Sequence, residues 1–314
     1  MGQVERDFGA DVLWGVIASL NSQLDGGPEV EDADPVEHLA RLRWLHEKGS
    51  ACGTLPNVDR SSEQEKLAGG NVGTAVVRVG DTVRRPSGPW SRSVDALLHH
   101  LNEVGYQAAP RTLGFDDLGR HVLEYVEGEI LMPFEPDDHL GAARRVGALI
   151  RDLHDASAEF TPPADAQWNV VITPDAEDLV IHHDLAPWNL VLGTERWVFI
   201  DWDNAGPGSR LWDLAYAAHG FARLEPHTPA TSASRRVAAL AEGYRLDQSG
   251  RNRLADLLVP RIRSMYDLLC EGRDTGVEPW ARLWGEGHGR VWLNHAEYTQ
   301  RHLSALREAL VHSA

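Results

Sequence analysis

The feature that most constrains this 314-residue chain is a set of polar residues at fixed spacing in its second half. His182 and Asp184 come first, Asn189 follows five positions after the aspartate, and an apolar segment then ends at Asp201. The residues from 190 to 200 read as strand, turn and strand. Because the two ends of a hairpin lie side by side, the pattern predicts that Asn189 and Asp201 enter one cleft.

These residue types suit the transfer of a phosphoryl group from a nucleoside triphosphate. Such a reaction needs a carboxylate that orients the acceptor hydroxyl and takes its proton, and Asp184 fits that role. It also needs hard oxygen ligands for Mg²⁺, and the carboxamide of Asn189 with the carboxylate of Asp201 fits as that pair. A single Asp or Asn in a loop is often only a turn former. The hypothesis therefore depends on the ordered set.

The same residues resemble the motifs of the aminoglycoside phosphotransferase family, whose fold is similar to that of protein kinases. The family pattern H-G-D-x-x-x-x-N, I-D-[WF] and D-[LIV]-A appears here as His182-His183-Asp184, Asn189, Ile200-Asp201-Trp202 and Asp213-Leu214-Ala215. The surrounding sequence resembles a trifolitoxin-immunity-like, actinobacterial branch. The resemblance covers residues 67 to 310. It implies an α+β, two-lobed fold with a small β-rich N-lobe and a larger, mainly helical C-lobe.

The chain is predicted to have three parts. Residues 1–65 form a helical N-terminal extension, because apolar residues recur there at helical spacing in two stretches. Residues 66–128 form the N-lobe, a nucleotide-binding lobe of short strands. Its entrance contains Gly70 and Asn71, and a glycine-rich loop can bind phosphates through its backbone N–H groups. Residues 129–314 form the C-lobe, for catalysis and acceptor binding.

The resemblance also implies the roles of individual residues. Asp184 is expected to be the catalytic aspartate, and Asn189 and Asp201 are expected to hold Mg²⁺. A basic residue of the third strand is expected to contact the triphosphate. Arg84 is the best match for this cation, and Arg85 is the alternative.

The base of ATP or GTP is expected at the hinge between the lobes, at the backbone of Glu124 and Val126. The sequence does not choose between the two nucleotides. Asp95 is the weaker candidate for the helix carboxylate that pairs with the strand cation. Two positions depart from the family: His183 stands where a glycine is usual, and an arginine stands where a lysine is usual on the strand. Arginine presents a planar fork where lysine presents a point charge, so the contact with the triphosphate differs.

Charge and composition narrow the class of protein. A formal net charge of −17 argues against binding nucleic acid or an anionic membrane through a basic surface. No apolar run is long enough for a transmembrane helix, and the polar N-terminus is unlike a signal peptide, so we expect a cytoplasmic protein. Cys52 and Cys270 lie far apart without CxxC spacing, which favours reduced thiols over a disulfide or zinc site.

The expected acceptor is a small molecule with a hydroxyl group. A protein kinase has a long activation loop after its metal-binding aspartate, whereas only residues 202–212 separate Asp201 from Asp213 here. Four acidic residues of the late helical region either bind ammonium groups of the acceptor or face solvent: Glu271, Asp274, Glu278 and Glu286. An aminoglycoside-type antibiotic or another amine-bearing compound is therefore a candidate acceptor.

The alternative from a different class is a noncatalytic immunity or binding protein that keeps the same fold. The presence of all three residues Asp184, Asn189 and Asp201 favours the hypothesis of an enzyme. Asp203 is expected to cap a turn or to add a metal ligand, and Asp213 to anchor the catalytic loop or cap its own helix. His182 is expected to brace the loop through hydrogen bonds, since the paired histidines lack a third regularly spaced ligand for a transition metal.

Overall fold

The computed structural model describes residues 64–66 and 76–312, in two units that span Met1–Gly80 and Asp81–Ala314. In the first unit, strand β1 (Gln64–Lys66) pairs with antiparallel strand β2 (Val77–Val79). The described strand β1 therefore includes the last two residues, 64 and 65, of the segment predicted as a helical extension. The two predicted helices of that extension, together with Gly70 and Asn71, lie outside the described residues. The three-part division of the chain stays a prediction.

The second unit begins with a three-stranded antiparallel sheet and one helix. Strand β3 (Thr82–Arg85) pairs with β5 (His121–Glu124), which also pairs with β4 (Thr112–Phe115). Helix α1 (Ser91–Glu103) buries four apolar residues that follow helical spacing: Val94, Leu97, Leu98 and Leu101. The short strands predicted for this part of the chain are confirmed.

The rest of the second unit is mainly helical. Its six helices are α2 (His139–Ser157), α3 (Arg210–Phe221), α4 (Ala230–Gly243), α5 (Gln248–Thr275), α6 (Trp280–Gly285) and α7 (His288–His312). Asp138, Ser209 and Asp247 cap α2, α3 and α5, because each side chain accepts a hydrogen bond from a backbone N–H of the first turn. None of the helices in the described ranges is long and apolar enough to cross a membrane.

Two small antiparallel ribbons lie between α2 and α3 in the sequence. Strand β6 (Leu179–Ile181) pairs with β9 (Gly206–Gly208), and β7 (Leu190–Leu192) pairs with β8 (Trp197–Phe199). The β7–β8 ribbon is the predicted apolar hairpin, and it is bounded by two 3₁₀ turns, Pro187–Asn189 and Trp202–Asn204. An antiparallel sheet followed by a larger helical region confirms the predicted α+β, kinase-like fold.

Helices α2 and α4 approach each other closely at glycine. A Cβ atom at Gly147 of α2 would lie 2.1 Å from the carbonyl oxygen of Leu240 and 2.8 Å from the amide nitrogen of Tyr244. A Cβ atom at Gly243 of α4 would lie 1.9 Å from the carbonyl oxygen of Arg144. Both contacts are with backbone atoms, so a larger residue would force the helices apart.

Gly147→Ala is therefore expected to destabilise the protein by about 1–3 kcal/mol, since overpacking against backbone is not relieved by rotamer changes. Urea unfolding measures the effect. The matched control is Gly285→Ala in helix α6, where an added Cβ atom meets nothing within 4 Å. This control should be neutral or slightly stabilising. Equal stabilities of the two variants would contradict the close packing of α2 on α4.

Candidate active site

The β7–β8 hairpin brings the three predicted catalytic and metal-binding residues together. The N–H of Ile200 donates to the carbonyl oxygen of Asn189 at 2.8 Å, which places the start of the hairpin beside the residue before Asp201. Nδ2 of Asn189 donates to both the carbonyl oxygen and Oδ2 of Asp184, at 3.0 and 2.8 Å. Asp184 and Asn189 are thus in direct contact, and Asp201 lies at the other end of the hairpin.

The donor chemistry at this point fits a divalent cation. Because Nδ2 of Asn189 is directed to Asp184, the amide oxygen Oδ1 is left on the other side, with no hydrogen-bond donor among the described residues. Asp201 adopts a left-handed backbone conformation with φ of 62°, and its carboxylate is 42% exposed. An amide oxygen and an accessible carboxylate are ligands that suit Mg²⁺.

Asp184 has a perturbed acidity. Burial raises the pKa of this carboxyl to about 7, and the negative charge of Asp201 raises it further, against hydrogen bonds from Tyr216 and Asn189. A pKa near neutrality is suited to a group that takes up a proton at physiological pH. A bound cation would favour the ionised form and lower this pKa.

The strand cation that contacts the site is Arg85, not Arg84. Nη2 of Arg85 lies 2.8 Å from Oδ1 of Asp201 and also bonds the carboxylate of Asp203. Arg84 instead pairs with Asp116, at 3.4 Å. Neighbouring residues of a strand point to opposite faces, so one of the two arginines must face away from the site. The structure therefore favours the alternative residue over the first choice.

The predicted carboxylate partner on helix α1 does not reach the strand arginine. Asp95 bonds the hydroxyl of Thr112 and lies 3.2 Å from Nε2 of His121. The hydrogen bond with His121 lowers the pKa of Asp95, against a smaller opposing effect of burial. The carboxylate of Asp203, and not that of Asp95, pairs with the strand arginine Arg85, beside Asp201.

The two predicted hinge residues lie at the end of β5. The carboxylate of Glu124 pairs with Arg196 at 2.6 Å and with Arg111 at 3.4 Å, and its N–H donates to the carbonyl oxygen of Arg111. The Glu124 side chain thus fastens this strand end to the β7–β8 turn. Val126 follows two residues later, outside any strand. Binding of a base here stays a prediction.

The buried carboxylate of Asp213 anchors the loop that carries Asp184. Its two oxygens accept the backbone N–H groups of His182 and His183, at 3.1 and 2.9 Å, and one also bonds Nε2 of His154 at 3.1 Å. Burial opposes ionisation of Asp213, but the hydrogen bond and charge of His154 dominate together with the neighbouring histidines, and they lower its pKa. Anchoring of the loop, one of the two roles expected of Asp213, is what the structure shows.

His182 braces the loop with both ring nitrogens. Nδ1 accepts from the N–H of Asp184 at 3.2 Å, which leaves Nε2 to donate to the carbonyl oxygen of Ile200 at 3.1 Å. Burial lowers the pKa of His182, so the neutral ring assumed by this pattern is favoured. Within the described residues no group of three His, Cys, Asp or Glu side chains is arranged to hold a metal.

The backbone at His183 has a conformation that glycine adopts easily, which explains why glycine is usual at this position. Its φ is 66°, in the left-handed region that glycine adopts without strain. Nε2 of His183 makes a hydrogen bond with the carbonyl oxygen of Pro207 at 3.0 Å, and its own carbonyl oxygen accepts from Arg261. Gly208 leaves the room for this ring, since a Cβ atom there would lie 3.2 Å from Cε1 of His183.

Two residues of the site were not predicted from the sequence. Tyr216 lies on helix α3, three residues after Asp213, and its interaction with the Asp184 carboxylate lowers the pKa of that group. That spacing puts both side chains on one helical face, a signal that was available in the sequence. Arg261 lies on α5, far from the motif in sequence, and no local pattern marks it.

The four late acidic residues face solvent, which is the second of the two roles considered for them. All four are exposed: Glu271, Asp274, Glu278 and Glu286. Asp274 pairs with its neighbour Arg273, and Glu286 pairs with Arg282. They are solvent-facing charges, two of them on helix α5 and two in the segments that flank α6.

Comparison with known proteins agrees with the geometry. Residues 164–257 match the model of the phosphotransferase enzyme family. The trifolitoxin immunity protein of Rhizobium leguminosarum bv. trifolii is 31% identical over 246 residues, covering 71% of this chain and 93% of that protein. The chain therefore belongs to the phosphotransferase enzyme family, and it is a phosphotransferase.

Solved structures share the fold at low sequence identity. The amicoumacin kinase hAmiN, in complex with AMP-PNP, Ca²⁺ and Ami, has a TM-score of 0.56 and 14% identity, over 88% of this chain and 96% of its own. A microcompartment-associated aminopropanol kinase has a TM-score of 0.52 and 16% identity, over 88% of this chain and 100% of its own. These similarities confirm the kinase-like fold.

Without divalent metal, Asp184→Asn is expected to stabilise the folded protein at pH 8. The pKa of Asp184 is about 7 in the folded protein, against an ordinary value of 3.8 for an aspartate. Between these values the folded state binds more protons than the unfolded state, so the free energy of unfolding falls as pH rises. We expect a gain of about 2 kcal/mol, less than the full shift because the carboxylate keeps some solvent contact.

Urea unfolding at pH 8 and pH 4 measures this gain, which should disappear at pH 4 because the aspartate is then largely protonated in the folded state. Asp267→Asn, a change at an exposed carboxylate that pairs with Arg263, is the control. A gain that is the same at both pH values would contradict the raised pKa of Asp184.

Proposed function

We propose that this protein is a Mg²⁺- and nucleoside-triphosphate-dependent O-phosphotransferase that acts on a hydroxyl group of a small molecule. The observation that carries the proposal is the hydrogen-bonded contact between Asp184 and Asn189, with Asp201 at the other end of the same hairpin. Membership of the phosphotransferase enzyme family and the small-molecule kinases of similar fold support the same activity.

Asn189 and Asp201 are proposed to hold Mg²⁺. Mg²⁺ commonly takes one or two protein ligands and completes its shell with phosphate oxygens and water, so this small donor set is sufficient. When bound, the ion neutralises charge on the triphosphate. The exposed carboxylate of Asp201 and the free amide oxygen of Asn189 support this assignment.

The triphosphate is proposed to contact Arg85. Its guanidinium lies beside the carboxylate of Asp201, and the donors of a planar fork can bind a carboxylate and a phosphate oxygen together. Binding of the base of ATP or GTP at Glu124 and Val126, and of phosphate at Gly70 and Asn71, belongs to the same proposal.

Asp184 is proposed to receive the proton of the acceptor. As the acceptor oxygen bonds to the γ-phosphorus, the bond from that phosphorus to the bridging oxygen breaks, and the hydroxyl proton passes to the Asp184 carboxylate. Asn189 holds this carboxylate by a hydrogen bond, and Tyr216 favours its ionised form because it lowers the pKa of Asp184.

Aromatic residues next to Asp184 are proposed to form a wall of the acceptor site. Tyr216 stacks on Trp292 with ring centroids 6.1 Å apart, and Trp188 meets it edge-on at 6.4 Å. Both tryptophans are partly exposed. Aromatic faces attract ammonium groups. An amine-bearing alcohol is therefore the proposed acceptor class, which agrees with the kinases of similar fold that are named for aminopropanol and amicoumacin.

A noncatalytic immunity or binding function is the second candidate. It is favoured by the name of the trifolitoxin immunity protein, which shares 31% identity with this chain. In that case the protein would bind its ligand without consuming nucleotide. A cytoplasmic location, where nucleoside triphosphates are abundant, goes with the enzymatic proposal.

Thermal melting with and without Mg²⁺ and ATP or GTP, followed by transfer of labelled γ-phosphate to amino alcohols and aminoglycosides, tests the proposal. A ligand that binds the folded state raises its melting temperature. Asp184→Asn is expected to lower the transfer rate by about 10²- to 10⁴-fold and to keep the shift caused by Mg-nucleotide. Tight acceptor binding with no transfer by either protein would favour the binding function.

Arg85→Gln is expected to raise the KM for the nucleotide by about tenfold, because it removes a charge-assisted contact with the triphosphate. Arg84→Gln is the matched control. It breaks only a surface ion pair with Asp116 among the described contacts, so the KM should stay within about twofold of wild type. A larger rise of the nucleotide KM in Arg84→Gln than in Arg85→Gln would instead identify Arg84 as the strand cation.

A further inference from the structure

The residue before Asp184 has a strained backbone that its surroundings enforce. His183 is a residue with a Cβ atom at φ of 66°, and such a conformation persists only where contacts over-determine it. Its N–H is bound by Asp213 at 2.9 Å and its imidazole by the carbonyl oxygen of Pro207 at 3.0 Å. Its carbonyl oxygen is bound by Nη2 of Arg261 at 3.0 Å.

Arg261 reaches this carbonyl from helix α5, 78 residues further along the chain. Its guanidinium carbon lies 4.2 Å from the ring centre of Tyr216 and 5.1 Å from that of Trp212. Nη1 also lies 3.3 Å from the hydroxyl oxygen of Ser264. The two rings and the hydroxyl thus orient the guanidinium plane toward His183.

The burial of this charge is not explained by an ion pair. Arg261 is 2% exposed and has no salt bridge with a carboxylate of the described residues, although the charges of Asp213 and Asp184 attract its guanidinium. Its Nε has no hydrogen-bond partner among those residues either. A buried charge with an unsatisfied donor destabilises a fold. Local features that cost stability are most often found where a function requires them.

Arg261 contacts two neighbours of Asp184, which are His183 and Tyr216. One contact fixes the carbonyl group of His183, immediately before Asp184 in the chain. The guanidinium also lies over the ring of Tyr216, a residue that interacts with the Asp184 carboxylate and lowers its pKa. A single side chain therefore restrains both the backbone entering Asp184 and a neighbour of its carboxylate.

We propose that Arg261 is a positioning residue, which directs the Asp184 carboxylate by holding His183 in its left-handed conformation and Tyr216 in place. This inference rests on the proposed phosphotransfer. A displacement of about 1 Å at a reacting group can lower a rate by about 100-fold. The rate of the reaction, and not the binding of nucleotide, is what depends on Arg261.

Arg261→Met tests the inference, because it keeps the stem of the side chain and removes the guanidinium. Turnover of Mg-ATP with water as acceptor should fall by at least about tenfold, with the KM for ATP within about twofold of wild type. Arg263→Gln is the matched control on the same helix, since Arg263 is exposed and bonds Asp267. It should match wild type. Arg261→Lys, which keeps the charge without the fork, replaces Arg261→Met if that variant does not fold.

His183→Gly tests the coupling between the two residues. Glycine adopts the left-handed conformation without strain. The fold-loss of turnover caused by Arg261→Met should therefore be at least about threefold smaller in the His183→Gly protein than in the wild type. A double-mutant cycle measures this difference. The inference would be overturned if Arg261→Met turned over Mg-ATP at the wild-type rate. It would also be overturned if the effects of Arg261→Met and His183→Gly on turnover were independent, so that the double variant showed their product.

A wild type that turns over no nucleotide would contradict the proposed function, and the positioning of Asp184 is then measured by amide hydrogen exchange. Arg261→Met should speed exchange in the segment 182–190 by at least about tenfold, because a loop that is no longer held at the carbonyl oxygen of His183 opens more often. Arg263→Gln should leave it unchanged. Unchanged exchange in Arg261→Met would overturn the inference independently of activity.

Discussion

The site depends on one buried carboxylate, that of Asp213. It is fully buried, and it accepts the backbone N–H groups of His182 and His183 as well as the imidazole of His154. A buried acceptor or donor left unpaired costs more than a made hydrogen bond contributes. The loop therefore has one favoured arrangement on helix α3, and the direction of Asp184 follows from it. The β7–β8 hairpin then carries Asn189 and Asp201 to the same place.

The second constraint is the concentration of negative charge. Burial raises the pKa of Asp184 and of Asp203, and the charge of Asp201 adds to both shifts. Arg85 balances part of this charge, because its guanidinium contacts Asp201 and Asp203. Repulsion between these carboxylates lowers the free energy of unfolding of the metal-free protein. A bound divalent cation would raise it again. This is the arrangement expected where charge serves metal and phosphate binding.

The parts of the site that could be predicted are those encoded by local spacing. Asn189 lies five residues after Asp184, and the hairpin to Asp201 is short and apolar, so their meeting required only turn and strand patterns. The sequence could not separate Arg84 from Arg85, because a shift of one residue along a strand reverses the face to which a side chain points. Arg261 could not be found in this way. Its contact with His183 spans 78 residues and depends on how helix α5 packs.

A crystal structure with Mn²⁺ in place of Mg²⁺ and a nonhydrolysable nucleoside triphosphate tests the assignment of the metal site most directly. We expect an anomalous peak for the metal in contact with Oδ1 of Asn189 and the carboxylate of Asp201, with the γ-phosphate facing Asp184. A metal or nucleotide bound away from these residues, or no binding at saturating concentrations, would contradict it.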